Sequence, residues 1–282
     1  MKKNNYGTYC NCATGEVVEG KFTSYAEIEK NRRYAAIAKA QQHDTEAGRN
    51  FTFMGTDIRA DRREKKLLGA LLVLSTYAQY DRGTGLSPLG YGEQNLFTST
   101  KVDFADVLGE TADIAKKLGA TLQERGYIVK IGKYFYLNKE IAYRGTTERT
   151  DVFKLYHMYT RQLVEYGAKL EHIGAIYLML PYISYKDNCL YLDAVNCEGI
   201  LNKSKLSEVT GLCRPFIDSL FNMTVWYKSK ELAVFGIFTM VNTDPATRQK
   251  KKLVKKIVIN PLVLHGKDKA VEGVLSMFCN NK

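Results

Sequence analysis

Histidine is scarce, and chemistry that depends on it is correspondingly hard to build. Only four occur in 282 residues (His43, His157, His172 and His265), none with a carboxylate at a spacing that suggests a catalytic or metal-binding pair. The six cysteines (Cys10, Cys12, Cys189, Cys197, Cys213 and Cys279) never fall in C-x-x-C spacing. Cys10-Asn11-Cys12 supplies two thiolates with no histidine pair nearby, short of a zinc ligand set. There is no Gly-x-x-x-x-Gly-Lys loop to cradle phosphates and no Gly-x-Ser-x-Gly elbow. A tyrosine nucleophile of a nicking or recombining enzyme would need a His-x-His or Arg/His/Arg set, and neither is visible. These absences argue against an enzyme, and no metal or cofactor is expected. Long apolar runs are missing too. Leu67 to Leu74 is the longest, far short of the roughly 20 residues that span a bilayer. The start, Met1-Lys2-Lys3-Asn4-Asn5, leads into no apolar signal core. No membrane association and a cytoplasmic location with reduced thiols are therefore expected.

What is present is an ordinary globular composition with a surplus of positive charge. Hydrophobic residues make up 45% and charged residues 25%, enough for a core and for two small domains. The net charge of +11 and pI near 9.2 favour a polyanionic partner, nucleic acid before anionic membrane. The 19 tyrosines could stack on bases of a single strand. Tyr77, Tyr80, Tyr182 and Tyr185 fall instead at core-like positions, so packing is the expected role.

An internal repeat organises the chain. Gly69-Ala-Leu-Leu-Val-Leu-Ser-Thr-Tyr77-Ala-Gln-Tyr80 matches Gly174-Ala-Ile-Tyr-Leu-Met-Leu-Pro-Tyr182-Ile-Ser-Tyr185. Further on, Leu108-Gly109 to Leu118 lies over Thr210-Gly211 to Leu220, and Tyr136-Leu137-Asn138 to Gly145 over Val258-Ile259-Asn260 to Gly266. Three matches in one order, each in a different kind of element, mean two copies of one unit.

In the first copy Thr100 is positioned to cap a helix over Lys101 to Leu108, and Gly109 breaks it. A second helix follows from Thr111 to Arg125. Its stripe Ile114, Leu118 and Leu122 faces inward and leaves Asp113, Lys116, Lys117 and Ala120 outward. Gly126 ends it, and Tyr127 to Lys130 and Tyr134 to Leu137 form a hairpin about Ile131-Gly132-Lys133. Helix, turn, helix, hairpin is the order of a winged helix. The stretch LQERGYIVKIGKYFYLNKEIAYRG (Leu122 to Gly145) resembles the wing region of phage- and plasmid-encoded winged-helix proteins of Gram-positive bacteria. In the second copy Asn202 is the expected cap of Lys203 to Thr210, Gly211 breaks that helix, and Cys213 to Asn222 forms the next, Pro215 being tolerated in its first turn. Glu231 to Val241 and Leu253 to Ile259 read as long strands about a basic tip, Asn242 to Lys252.

The predicted fold is α+β: two tandem winged helix-turn-helix domains with a small N-terminal hairpin and helix extension. That extension covers residues 1–58, with strands Tyr6 to Cys12 and Glu16 to Thr23 and a helix Glu27 to Gln42 carrying Lys30, Arg32, Arg33 and Lys39. The first unit covers 59–150. The second covers 151–282 and opens on a linking helix, Asp151 to Gly167, with Phe153, Tyr156, Tyr159 and Leu163 on one face. The Gly-rich stretch Arg82 to Gly92 reads as an irregular loop. DNA contacts are expected from Thr111, Asp113, Lys116, Lys117, Lys130 and Lys133 in the first copy, and from Lys203, Arg214, Ser219 and Asn222 in the second. The second wing adds Arg248, Lys250, Lys251, Lys252, Lys255 and Lys256, six cations in nine residues opposed only by Asp244. The resemblance implies a sequence-specific binder of double-stranded DNA from a mobile element, a transcription regulator or a replication initiator. The alternative is a protein-interaction adaptor, a phage factor binding a host protein through the same scaffold. A homodimer and a host or phage protein partner are compatible with either.

Overall fold

The computed structural model describes residues 6–10, 17–21, 50–56, 61–81, 85–145, 149, 151–243, 250–266 and 278, and the backbone alone at 6–10, 17–21, 240–243 and 250–253. β1 (Tyr6–Cys10) and β2 (Val17–Lys21) pair antiparallel, the expected hairpin with slightly shorter strands. The helix expected over Glu27 to Gln42 lies outside the described residues.

The first half then runs β3 (Phe51–Gly55), α1 (Lys65–Ser75), β4 (Leu86–Pro88), β5 (Gly90–Gly92), β6 (Asn95–Leu96), α2 (Asp103–Leu108), α3 (Ala112–Glu124), β7 (Ile128–Ile131), β8 (Tyr134–Asn138) and β9 (Ala142–Tyr143). In α1 every residue from Leu67 to Ser75 is buried, as a helix apolar on all sides demands. β4, β8 and β7 form a three-stranded antiparallel sheet in that order. β4 and β5 correct the irregular loop expected up to Gly92. Pro88 is tolerated because β4 is an edge strand, where a missing amide donor costs nothing. The cap of α2 differs as well. The Asp103 carboxylate accepts the amides of Thr98 (2.6 Å) and Ser99 (2.8 Å), and Ser99 Oγ that of Val102 (3.3 Å). Thr100 instead packs against α3 where Gly119 leaves room for its methyl.

The second half runs β10 (Val152–Tyr156), α4 (His157–Glu165), α5 (Leu170–Met179), β11 (Tyr191–Asp193), β12 (Glu198–Ile200), α6 (Lys203–Thr210), α7 (Arg214–Leu220), β13 (Thr224–Tyr227), β14 (Lys230–Ala233), β15 (Phe235–Thr243), β16 (Lys250–Ile259) and β17 (Leu264–Gly266). The expected linking helix is thus half strand. All five residues of β10 are buried, so Phe153 and Tyr156 belong to a sheet interior while Tyr159 and Leu163 belong to a helix. Likewise the strand expected from Glu231 divides at Val234 into β14 and β15. The chain is α+β, with helices packed among several small antiparallel sheets.

Each sequence match has a structural counterpart. Gly109 and Gly211 both take the left-handed conformation (φ 63° and 66°) that ends a helix and that a Cβ would strain. Asn138 and Asn260 make the same turn: each side-chain oxygen accepts the amide two residues on, and each carbonyl the amide three residues on. Their side-chain amides donate to Gly126 O and Ala233 O at 3.0 and 2.9 Å. The pairing of Leu137 with Ile128 recurs as Ile259 with Phe235. The pairing of Tyr136 with Pro88 recurs as Val258 with Cys189. By register, β15 and β16 therefore repeat β7 and β8. The hairpin β13–β14 is an insertion in the second copy, closed by the Val234 amide donating to Met223 O at 2.9 Å.

The central sheet is symmetric under exchange of the two copies. In the sheet β17-β10-β3-β9, exchanging 51–55 with 152–156 and 142–143 with 264–265 maps the register onto itself, with Phe53 opposite Lys154 at the centre. α1 and α5 meet under the same exchange of copies. A Cβ at Gly69 would lie 1.9 Å from Leu170 O, and one at Gly174 1.8 Å from Lys65 O. β3 lies N-terminal of the expected boundary at 58 yet pairs with β9 and β10, and one apolar cluster runs through both halves.

Close by in the core, Thr52 Oγ1 donates to Ser75 O (2.7 Å), so it accepts from His157 Nε2 (2.7 Å), which places a proton on Nε2. Burial, reinforced by Arg144 and Arg161, pushes His157 down to about 3 from its ordinary value of 6.5. An unfolded chain binds a proton below pH 6.5 that the folded one refuses until about pH 3, so stability falls with pH across that window. The loss approaches roughly 1.4 kcal/mol per pH unit. Denaturant titrations at pH 7 and 5 are expected to show a smaller pH dependence for His157→Gln than for the native chain. Equal slopes would contradict the assignment.

Candidate nucleic-acid interface

The first copy presents a free cationic face. Thr111 caps α3, its hydroxyl accepting the Ile114 amide at 3.5 Å, and Asp113 lies in the first turn, where a negative charge suits the helix dipole. Of the expected inward stripe only Leu122 is buried; Ile114 and Leu118 are half-buried, and the buried face runs through Ala115 and Gly119 instead, while Asp113, Lys116, Lys117 and Ala120 are exposed as the spacing predicts. At the hairpin tip Lys130 and Lys133 are exposed, their ammonium groups 5.1 Å from the ring centres of Phe135 and Tyr134. Among the described residues none of these four lysines has a carboxylate partner, so their charge is available to an anion.

The second copy differs. Asn202 caps α6 as expected, its side-chain oxygen accepting the Lys205 amide at 2.9 Å. Lys203 Nζ, however, lies 2.6 Å from Asp218 Oδ1, and Arg214 Nε 3.5 Å from Asp218 Oδ2. Arg214 also donates to Ser204 Oγ at 2.7 Å. These cations hold the Asp218 carboxyl below the usual carboxylate range, the Lys203 hydrogen bond most of all. Ser219 faces inward, a correction to its expected outward position. Its hydroxyl lies 3.2 Å from His172 Nε2 and donates to Phe216 O at 2.6 Å. Asn222 is exposed beyond the end of α7, in the turn before the inserted hairpin.

The long basic hairpin is also divided. Lys255 is exposed. Lys256 instead points inward, which corrects its reading as a DNA contact. It donates to Tyr191 Oη at 2.7 Å and lies 3.8 Å from Asp187, to which Tyr191 also donates. Lys250, Lys251 and Lys252 lie in β16 itself, within the span expected to be a loop tip, and Arg248 lies outside the described residues. Lys255 shares a groove of about 410 Å³ with Asn202, Lys203, Ser204, Arg214, Ile237 and Ile257, between the starts of α6 and α7 and the hairpin β15–β16.

Some basic positions escaped the sequence reading. Lys101, exposed just before α2, is the counterpart of Lys203, and aligning Gly109 on Gly211 was the available signal. Lys228 and Lys230 sit on the inserted hairpin. Its signal was a two-residue turn, Lys228-Ser229, between apolar-alternating strands; both turn residues have positive φ (45° and 62°). Among the described residues no group of three or more His, Cys, Asp or Glu is placed to hold a metal, and no helix is long and apolar enough to cross a membrane. No protein family, curated protein or solved structure matches this chain.

Proposed function

We propose that the chain is a sequence-specific double-stranded DNA-binding protein made of two winged-helix units, with α3 and α7 as recognition helices and β7–β8 and β15–β16 as wings. The observation that carries this reading is the order helix, strand, helix, left-handed glycine, helix, hairpin, combined with the sheet order β4-β8-β7 and an exposed cationic face on α3 and its wing. Winged helices place such a helix in the major groove and a wing along the backbone. The resemblance of Leu122 to Gly145 to phage and plasmid winged-helix proteins supports a mobile-element role in transcription regulation or replication initiation.

The exchange symmetry of the central sheet adds a geometric consequence. Units related by a dyad meet duplex DNA in opposite orientations, about 10–10.5 base pairs apart or at a whole multiple of that. The two helices carry different residues, so the two half-sites differ in sequence while opposing each other in direction. Selection of bound duplexes from a random pool, followed by footprinting of the winners, tests the reading. Failure to enrich any duplex would favour the adaptor role.

A further inference from the structure

We propose that Asp218 is an internal stand-in for a DNA phosphate, holding Lys203 and Arg214 until a backbone phosphodiester enters the adjoining groove and replaces it. This rests on the DNA-binding reading and assigns a phosphate seat to its second unit. The comparison of the two copies carries the argument. Aligning Gly109 on Gly211 puts Lys116, an exposed cation without a carboxylate partner among the described residues, at the place of Asp218. One copy therefore offers a cation where the other offers an anion that neutralises its neighbours.

The groove beside Asp218 has the chemistry of a phosphodiester seat. Lys203, Arg214 and Lys255 surround it, and the Asn202 and Ser204 side chains add polar groups. The single carboxylate bonded to these cations among the described residues, Asp218, has an oxygen on each of two of them, at 2.6 Å from Lys203 Nζ and 3.5 Å from Arg214 Nε. Two oxygens of a phosphodiester can engage the same two nitrogens. The exchange is easy because Asp218 is about half exposed, at 49% of its side chain, and Arg214 at 48%; water already screens the bond that must break. Lys255 gains a partner in the exchange, since no carboxylate is paired with it among the described residues.

The consequence is an order of engagement: the first unit, with no carboxylate paired to Lys116 or Lys117 among the described residues, binds at once, and the second closes when a phosphate displaces Asp218. Asp218→Asn removes the competing charge and keeps the shape. Titration of a labelled duplex is expected to show five- to twentyfold tighter binding by Asp218→Asn than by the native chain, and a salt slope steeper by about 1 to 2 ion equivalents. Adding Lys203→Ala and Arg214→Ala to Asp218→Asn is expected to cancel the gain. Thermal melting of each variant establishes that it is folded. If the native chain binds duplex and folded Asp218→Asn binds no tighter, the phosphate-mimic role is overturned while the DNA-binding reading stands. Weaker binding of Asp218→Asn confined to one selected sequence overturns it as well, making Asp218 a base-reading group. If neither protein binds duplex at any salt, both readings fall.

Discussion

Replacing Lys116 and Lys117 together by alanine is expected to weaken duplex binding roughly a hundredfold, the largest effect of any pair on the first unit. The two ammonium groups project from the exposed face of α3 with no carboxylate to hold them among the described residues. Each groove or phosphate contact they make is worth about 1–1.5 kcal/mol, and 1.4 kcal/mol is a factor of ten in affinity. The dependence on salt should fall as well, by about one ion for each lysine that met a phosphate. Stability should barely change, because neither side chain packs in the core. Fluorescence anisotropy across a salt series measures both quantities. An unchanged affinity with an unchanged slope would remove α3 from the interface.

Gly69→Ala and Gly174→Ala are expected to be the most destabilising conservative substitutions in the chain. The new methyl carbon would sit 1.9 Å from Leu170 O in one case and 1.8 Å from Lys65 O in the other. No side chain can move aside to relieve a clash with backbone. The two helices must separate by more than an ångström, and α1, buried from Leu67 to Ser75, would open its packing along with them. Overpacking of this kind costs about 3 kcal/mol, which lowers the melting temperature by roughly 6–12 °C. Gly92→Ala is the control, since a Cβ there meets nothing within 4 Å and should leave melting unaltered. Equal melting of all three variants would contradict the close meeting of α1 and α5.

The same glycines show how much of the fold was legible in sequence. Gly69 and Gly174 were visible as a repeat because a backbone contact permits only one residue type, and Gly109 and Gly211 because a left-handed turn permits few others. Asn138 and Asn260 stood out for the same reason: each makes a turn that depends on its own side chain. Where geometry left the residue type open, the reading went astray. Val152 to Tyr156 looked helical because buried residues continued at helical spacing into α4, and spacing alone cannot separate two adjoining buried elements. β4 was hidden by a proline that an edge strand tolerates, and β5 by its two glycines. The inserted hairpin β13–β14 was absorbed into a long strand because its partner in the first copy does not exist. At the candidate site, exposure on α3 followed from periodicity. The inward turns of Ser219 and Lys256 did not, since His172, Tyr191 and Asp187 approach them from elements distant in sequence.

That two units related by a dyad read one duplex is tested most directly by footprinting a duplex selected from a random pool. The expected result is two protected segments on one face of the DNA, about 10–10.5 base pairs apart or a whole multiple of that. Lys116→Ala with Lys117→Ala should erase one segment, and Lys203→Ala with Arg214→Ala the other. Protection by one unit alone, indifferent to both pairs of substitutions, or no selected sequence at all, would contradict it.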